Sequence, residues 1–139
     1  SEVSGKRFWE IFKDISGTPA TFFKYSFVHN YCPLSYRKLV KNIIPPQLNV
    51  SIRNDLNAIC EKALRKVANL LNVKMLIAVG KYAEERAEIA LRRISEVIIC
   101  NIMHPSPVNL AANEGWNEIV KKQLQDLDVL LYLFINFLP

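Results

Sequence analysis

The sequence predicts an α/β domain, a three-layer α/β/α arrangement in which helices cover both faces of a mostly parallel central sheet. Three observations carry the expectation. Residues 73–79 and 97–103 are nearly unbroken apolar runs, which suits strands buried on both faces. Stretches with apolar residues every three or four positions surround these runs, and helical and strand-like patterns alternate along the chain as crossover connections require.

The elements follow in order. Phe8, Ile11, Phe12 and Ile15 repeat at helical spacing after Ser4-Gly5, giving a short amphipathic helix that ends near Gly17-Thr18-Pro19. Residues 22–28 read as a strand. Residues 32–46 have no clear period, contain proline and hold the basic cluster Arg37, Lys38 and Lys41, so a long loop of functional character is expected there. Between residues 51 and 71, Ile52, Leu56, Ile59, Ala63, Val67 and Leu70 mark one face of a long helix. The run at 73–79, bounded by Gly80, is the next strand. Ala83, Ala87, Leu91 and Ile94 trace a third helix, 97–103 another strand, and a fourth helix starting near Asn113 carries Trp116, Ile119, Val120 and Leu124.

A chain of 139 residues, half of them hydrophobic, buries one core and is too short for two ordinary domains. It opens Ser1-Glu2-Val3 with no methionine before Met75. The expectation is a single partial domain over 1–139 that starts inside a larger protein. The net charge is +5; residues 1–53 carry eight basic and three acidic groups and 54–139 ten of each, so the surplus lies in the first third. That balance permits a phosphate-backbone partner without requiring one. Cys32, Cys60 and Cys100 are odd in number and lie in apolar surroundings, as befits buried thiols of the nucleus or cytosol. His29-x-x-Cys32 has the spacing of half a metal site, but no second pair completes it, and neither metal nor cofactor is expected. No signal peptide is visible. The apolar run 129–135 is far shorter than the ~20 residues of a membrane span, so a membrane is not an expected partner.

In open sheets ligands bind beyond the carboxyl ends of strands, and Asn30 and His104 each follow an apolar run. Alone, Asn30 fits a turn former and His104 a hydrogen-bonded structural residue. Proline-containing backbone follows each at once and restricts how its loop moves.

Here a resemblance becomes specific. F-V-H-N-x-C-P-L at 27–34 and H-P-S-P-x-N at 104–109 resemble the base-recognition and DNA-intercalation motifs of the single-strand-selective monofunctional uracil-DNA glycosylases. S-E-V-S-G-x-R-F-W from Ser1, K-N-x-x-P from Lys41, G-x-x-A-E-x-R-A from Gly80 and A-N-x-G-W from Ala112 agree in order and spacing. The resemblance covers nearly the whole chain except its last ten or so residues.

It implies DNA repair by hydrolysis of the N-glycosidic bond of uracil, and of related oxidised pyrimidines, in single- and double-stranded DNA, in the nucleus and as a monomer. The base leaves the stack to be reached. The Asn30 amide offers a donor and an acceptor side by side, matching the O4 and N3–H edge of uracil, where cytosine shows the reverse. His104 resembles the family's donor to the departing base at O2; comparable oxyanion donors contribute ~3–4 kcal/mol. Among DNA-contacting positions, Ser106, between Pro105 and Pro107, is a candidate phosphate ligand, and Val108 stands where the family's loop enters the base stack. Relatives often carry arginine there, so Val108 keeps an apolar wedge and loses a charge. Lys41, Asn42 and Pro45 resemble a DNA-positioning segment. The family's water-orienting residue and base-stacking aromatic lie in a Gly-Met-Asn-Pro-Gly type loop that nothing in these 139 residues matches.

Three function classes follow: a repair glycosylase, a catalytically silent DNA-binding or interaction protein of the same fold, and an unrelated α/β enzyme such as a nucleotide binder or a Cys-His hydrolase using Cys32. Absence of a Gly-rich phosphate loop, and of a base and orienter around Cys32, counts against the third.

Overall fold

The computed structural model describes residues 2–33, 36–38, 41–43, 47–94 and 96–130, with the backbone alone at 36–38 and 41–43. Among them the elements are α1 (Glu2–Ser16), α2 (Pro19–Phe23), β1 (Tyr36–Lys38), β2 (Lys41–Ile43), α3 (Val50–Leu70), β3 (Met75–Val79), α4 (Lys81–Ala90), β4 (Ile98–Ile102), α5 (Leu110–Asn113) and α6 (Trp116–Asp126). β3 and β4 form a two-stranded sheet. Ile98 N–H donates to Lys74 O at 3.0 Å and Gly80 N–H to Ile102 O at 2.9 Å; start pairs with start and end with end, so the strands are parallel, with α4 as the crossover. The fold is therefore α/β.

The chain divides into two compact units. The first contains α1, α2, the carboxyl ends of β3 and β4, the first turn of α4, α5 and α6. Its core holds Ile11, Phe12, Ile15, Phe22, Ile102, Trp116, Val120 and Leu124. Phe12 and Phe22 lie with ring centroids 4.9 Å apart, and α1 packs on both α2 and α6. The second unit contains β1, β2, α3, the rest of α4 and the starts of β3 and β4. Leu64, Ala68, Ala87, Ala90 and Leu91 form its core, with Tyr31, Val73, Leu76, Ile94, Val97 and Ile99 against it.

Four expectations need correcting. The strand over 22–28 is not formed: Phe22 and Phe23 belong to α2, and no strand covers 24–28. Thr18 caps α2, its hydroxyl accepting from Thr21 N–H at 3.2 Å, and Pro19 supplies the preset φ of the first helical turn. Aromatic packing of Phe22 against α1 then completes a helix where β-propensity alone favours a strand. The loop over 32–46 holds an antiparallel pair instead, with Arg37 opposite Asn42 and Lys38 opposite Lys41.

In α3 the extent is as expected and the face is not. Asn57, Cys60, Leu64 and Ala68 are buried, whereas Ile59 is 68% and Leu70 84% exposed. Both sets repeat at helical spacing, so periodicity finds the helix without choosing between its two faces. The helix stops in a Schellman turn. Val73 N–H reaches Ala68 O at 3.0 Å and Asn72 N–H reaches Asn69 O at 3.2 Å, while Asn72 takes φ 49°. The last predicted helix is split, with α6 starting at Trp116 after Gly115. Of the apolar run 129–135, Val129 is buried and residues from 131 on lie outside the described ones.

Candidate functional site

The segment that follows β4 is held at almost every residue. Met103 N–H donates to Gln123 Oε1 at 2.9 Å, and Trp116 Nε1–H donates to Met103 O at 2.9 Å, so α6 pins the backbone immediately before His104. From α1, Arg7 Nη1 donates to Pro105 O at 3.0 Å and Nη2 to Asn113 Oδ1 at 2.8 Å. Asn113 Nδ2 in turn donates to Pro107 O at 2.9 Å. Within the turn, Val108 N–H donates to Ser106 Oγ at 3.3 Å and Asn109 N–H to Ser106 O at 3.0 Å. Two prolines and these bonds leave few soft dihedrals between 103 and 109. Val108, at the tip, is 88% exposed.

His104 packs against Gly80. A Cβ at position 80 would meet His104 Cβ at 3.0 Å and Cδ2 at 3.2 Å, and Gly80 has φ +91°, so both space and backbone favour glycine at the β3–α4 turn. Burial of the ring by this packing holds the His104 pKa below its ordinary 6.5. Ser106 N–H donates to His104 Nδ1 at 3.1 Å. An accepting Nδ1 carries no proton, so the neutral imidazole has its hydrogen on Nε2. Among the described residues Nε2 has no protein partner, and His104 as a residue remains exposed. The outcome is a neutral N–H donor of fixed orientation just beyond the carboxyl end of β4, whose last residue, Ile102, is buried.

Asn30 belongs to the second unit. It is exposed, and among the described residues its carboxamide makes no protein hydrogen bond. Neighbouring His29 has a pKa lowered by burial. Cys60 is buried, and desolvation together with the Cys32 thiol pushes its pKa up to about 11, which leaves it a protonated, unreactive thiol at neutral pH. No group of three or more His, Cys, Asp or Glu side chains suited to a metal ion occurs among the described residues.

Pro105, Ser106, Pro107 and Val108 are thus gathered around His104. Lys41 and Asn42 stand on β2, with their side chains outside the described atoms, and Pro45 lies outside the described residues. Arg7, Gly80, Asn113 and Trp116 were not among the expected site residues, although each sits in one of the quoted motifs. Motif order gave no sign that these four converge on one turn.

No family model matches the chain. Over 132 residues, 94% of the chain, it is 41% identical to proteins named single-strand selective monofunctional uracil DNA glycosylase from mouse and from cattle, and equally to the rat protein named single-strand selective monofunctional uracil-DNA glycosylase. The chain belongs to this glycosylase family. It spans about half the length of these curated relatives, 47% of the mouse and 48% of the cattle and rat proteins. Glycosylase motifs seen first as separate strings are, in the first unit, parts of one device: the R-F-W, G-x-x-A-E and A-N-x-G-W strings supply Arg7, Gly80, and Asn113 with Trp116 to the H-P-S-P turn.

Proposed function

We propose that this chain carries the base-reading and leaving-group parts of a uracil-DNA glycosylase site, in a protein that removes uracil and related oxidised pyrimidines from single- and double-stranded DNA. Base excision of this kind places it in the nucleus, acting as a monomer on DNA without metal or cofactor, within a three-layer α/β/α domain. The observation that carries the reading is the neutral His104 with its Nε2–H unpartnered.

Heterolysis of the N-glycosidic bond leaves the electron pair on the base, and the resulting anion concentrates charge at O2. The Nε2–H of His104 donates to that oxygen as charge develops, while water adds to the sugar carbon and the proton it loses ends on the nitrogen of the released base. Because a neutral imidazole keeps its proton, His104 acts as a hydrogen-bond donor to the anion. Asn30 accepts from N3–H and donates to O4. Cytosine, with the pair reversed, would leave both carboxamide groups unsatisfied. Val108 is an apolar wedge at the tip of a rigid turn, suited to filling the gap left by an extruded nucleotide. Lys41, Asn42 and Pro45 are proposed DNA-backbone contacts, as is Ser106 beside the wedge.

The test is uracil release from single-stranded DNA, measured for this chain and for a version extended at its amino end with the corresponding half of the mouse relative, which would supply the Gly-Met-Asn-Pro-Gly type loop. Release by the extended version supports the reading; absence of release from both contradicts it. In the extended version Asn30→Asp should lower uracil turnover by about 10² or more, since the carboxylate lacks the amide donor. Unaltered turnover would place base reading elsewhere. A second reading, DNA binding without excision, predicts tight binding with no release from either version.

A further inference from the structure

The G-x-x-A-E-x-R-A string has a residue that the glycosylase reading leaves without a role. Arg86, on α4, donates from Nε to the Tyr31 hydroxyl at 3.2 Å, and its Nη2 pairs with Glu61 of α3. The same hydroxyl lies 3.2 Å from Asn57 Oδ1 and 3.4 Å from Asn57 O, and Asn57 is buried. Tyr31 Oη thus accepts from a cation and donates to a buried amide oxygen. All four residues belong to the second unit.

The Arg86 and Glu61 side chains are only 18% and 17% exposed. Holding an ion pair at that depth costs desolvation that an apolar replacement would avoid, so the cluster is poorly explained by stability alone. A satisfied polar network does confer one defined geometry. What it fixes is the ring of Tyr31, whose peptide bond joins it to Asn30, with Cys32-Pro33 restricting the chain on the other side. Among the described residues Asn30 itself has no hydrogen bond to hold it, yet a reader of O4 and N3–H must be placed to within a fraction of an ångström.

We infer that Tyr31, Arg86 and Glu61 form a positioning network that sets Asn30 for discrimination of uracil from cytosine, an inference resting on Asn30 as the base reader. None of the three touches the base. Arg86 uses two edges of its guanidinium at once, one on the Tyr31 hydroxyl and one on Glu61. A lysine has a single point donor and cannot span both.

The experiment uses this chain with Tyr31→Phe, Arg86→Met, Arg86→Lys and Asn30→Ala. Two quantities are measured for each: amide hydrogen exchange at residues 29–31 against Leu64 and Ala68, and the affinity ratio for single-stranded oligonucleotides carrying one 2′-fluoro-deoxyuridine or one deoxycytidine. Loss of a charge-assisted bond should speed exchange at 29–31 by about tenfold in Tyr31→Phe and Arg86→Met, leaving Leu64 and Ala68 unchanged. The uracil-to-cytosine ratio should fall about fivefold in both variants, with cytosine affinity constant and Arg86→Lys intermediate. A merely structural role would speed exchange at all these amides together and leave the ratio unaltered, and that result, or no change at 29–31, overturns the network. An unchanged ratio in Asn30→Ala overturns instead the assignment of Asn30 as base reader, and with it the purpose of the tether, whatever the exchange shows.

Discussion

At the scale of single residues, His104 joins several constraints that act on one atom. Gly80 gives the ring room, Ser106 N–H occupies Nδ1, and the donor is left on Nε2. Acid should undo this arrangement in a specific way. A protonated imidazole places a hydrogen on Nδ1 facing the Ser106 N–H, donor against donor, so the turn loses its lock. The pKa values of both His104 and His29 lie below 6.5; the folded chain therefore binds fewer protons than the unfolded chain as pH falls through that region. The contribution to stability is complete above pH 6.5 and is lost as pH drops through the folded values. Thermal unfolding midpoints should be level from pH 7 to 8 and decline below 6.5, and uracil release should decline with them. Gly80→Ala tests the packing side of the same account. With φ at +91° and His104 Cβ at 3.0 Å, the methyl should destabilise the chain by about 1–3 kcal/mol in denaturant melts and disturb the His104 ring resonances.

At the scale of elements, periodicity located α1, α3, α4, α6 and both parallel strands, because burial against a neighbour writes a 3.6-residue or continuous apolar pattern into the chain. It did not locate α2, whose five residues are too few to show a period; the Thr18-Pro19 cap was the legible sign. Nor could it give the antiparallel pair of β1 and β2, where the strands are three residues each. The two apolar faces of α3 make a direct comparison possible. Leu64 is buried in the second unit's core, so Leu64→Ala should cost about 2–5 kcal/mol. Ile59, largely exposed, should cost under about 0.5 kcal/mol on replacement by alanine. Chemical denaturation of the two variants measures the difference. Comparable losses would mean that the face marked by Ile52, Ile59 and Leu70 is the packed one.

At the scale of the molecule, Asn30 and His104 were legible as candidates only through family motifs, since a lone asparagine and a lone histidine carry little weight. What surrounds them was illegible for a physical reason. Arg7 reaches the Pro105 carbonyl of the His104 turn across 98 positions and Asn113 across 106, and contacts of that range leave no periodic trace in a sequence. The same holds for Arg86 with Tyr31, 55 positions apart. A chain spanning about half the length of its curated relatives nonetheless contains a fully braced donor turn. The most direct measurement is single-turnover uracil release from single-stranded DNA by the extended version with His104→Ala, alongside its DNA affinity. A fall in release of about 10²–10³ with affinity retained is the predicted result; equal release rates for variant and parent would contradict the role of His104 as donor to the departing base.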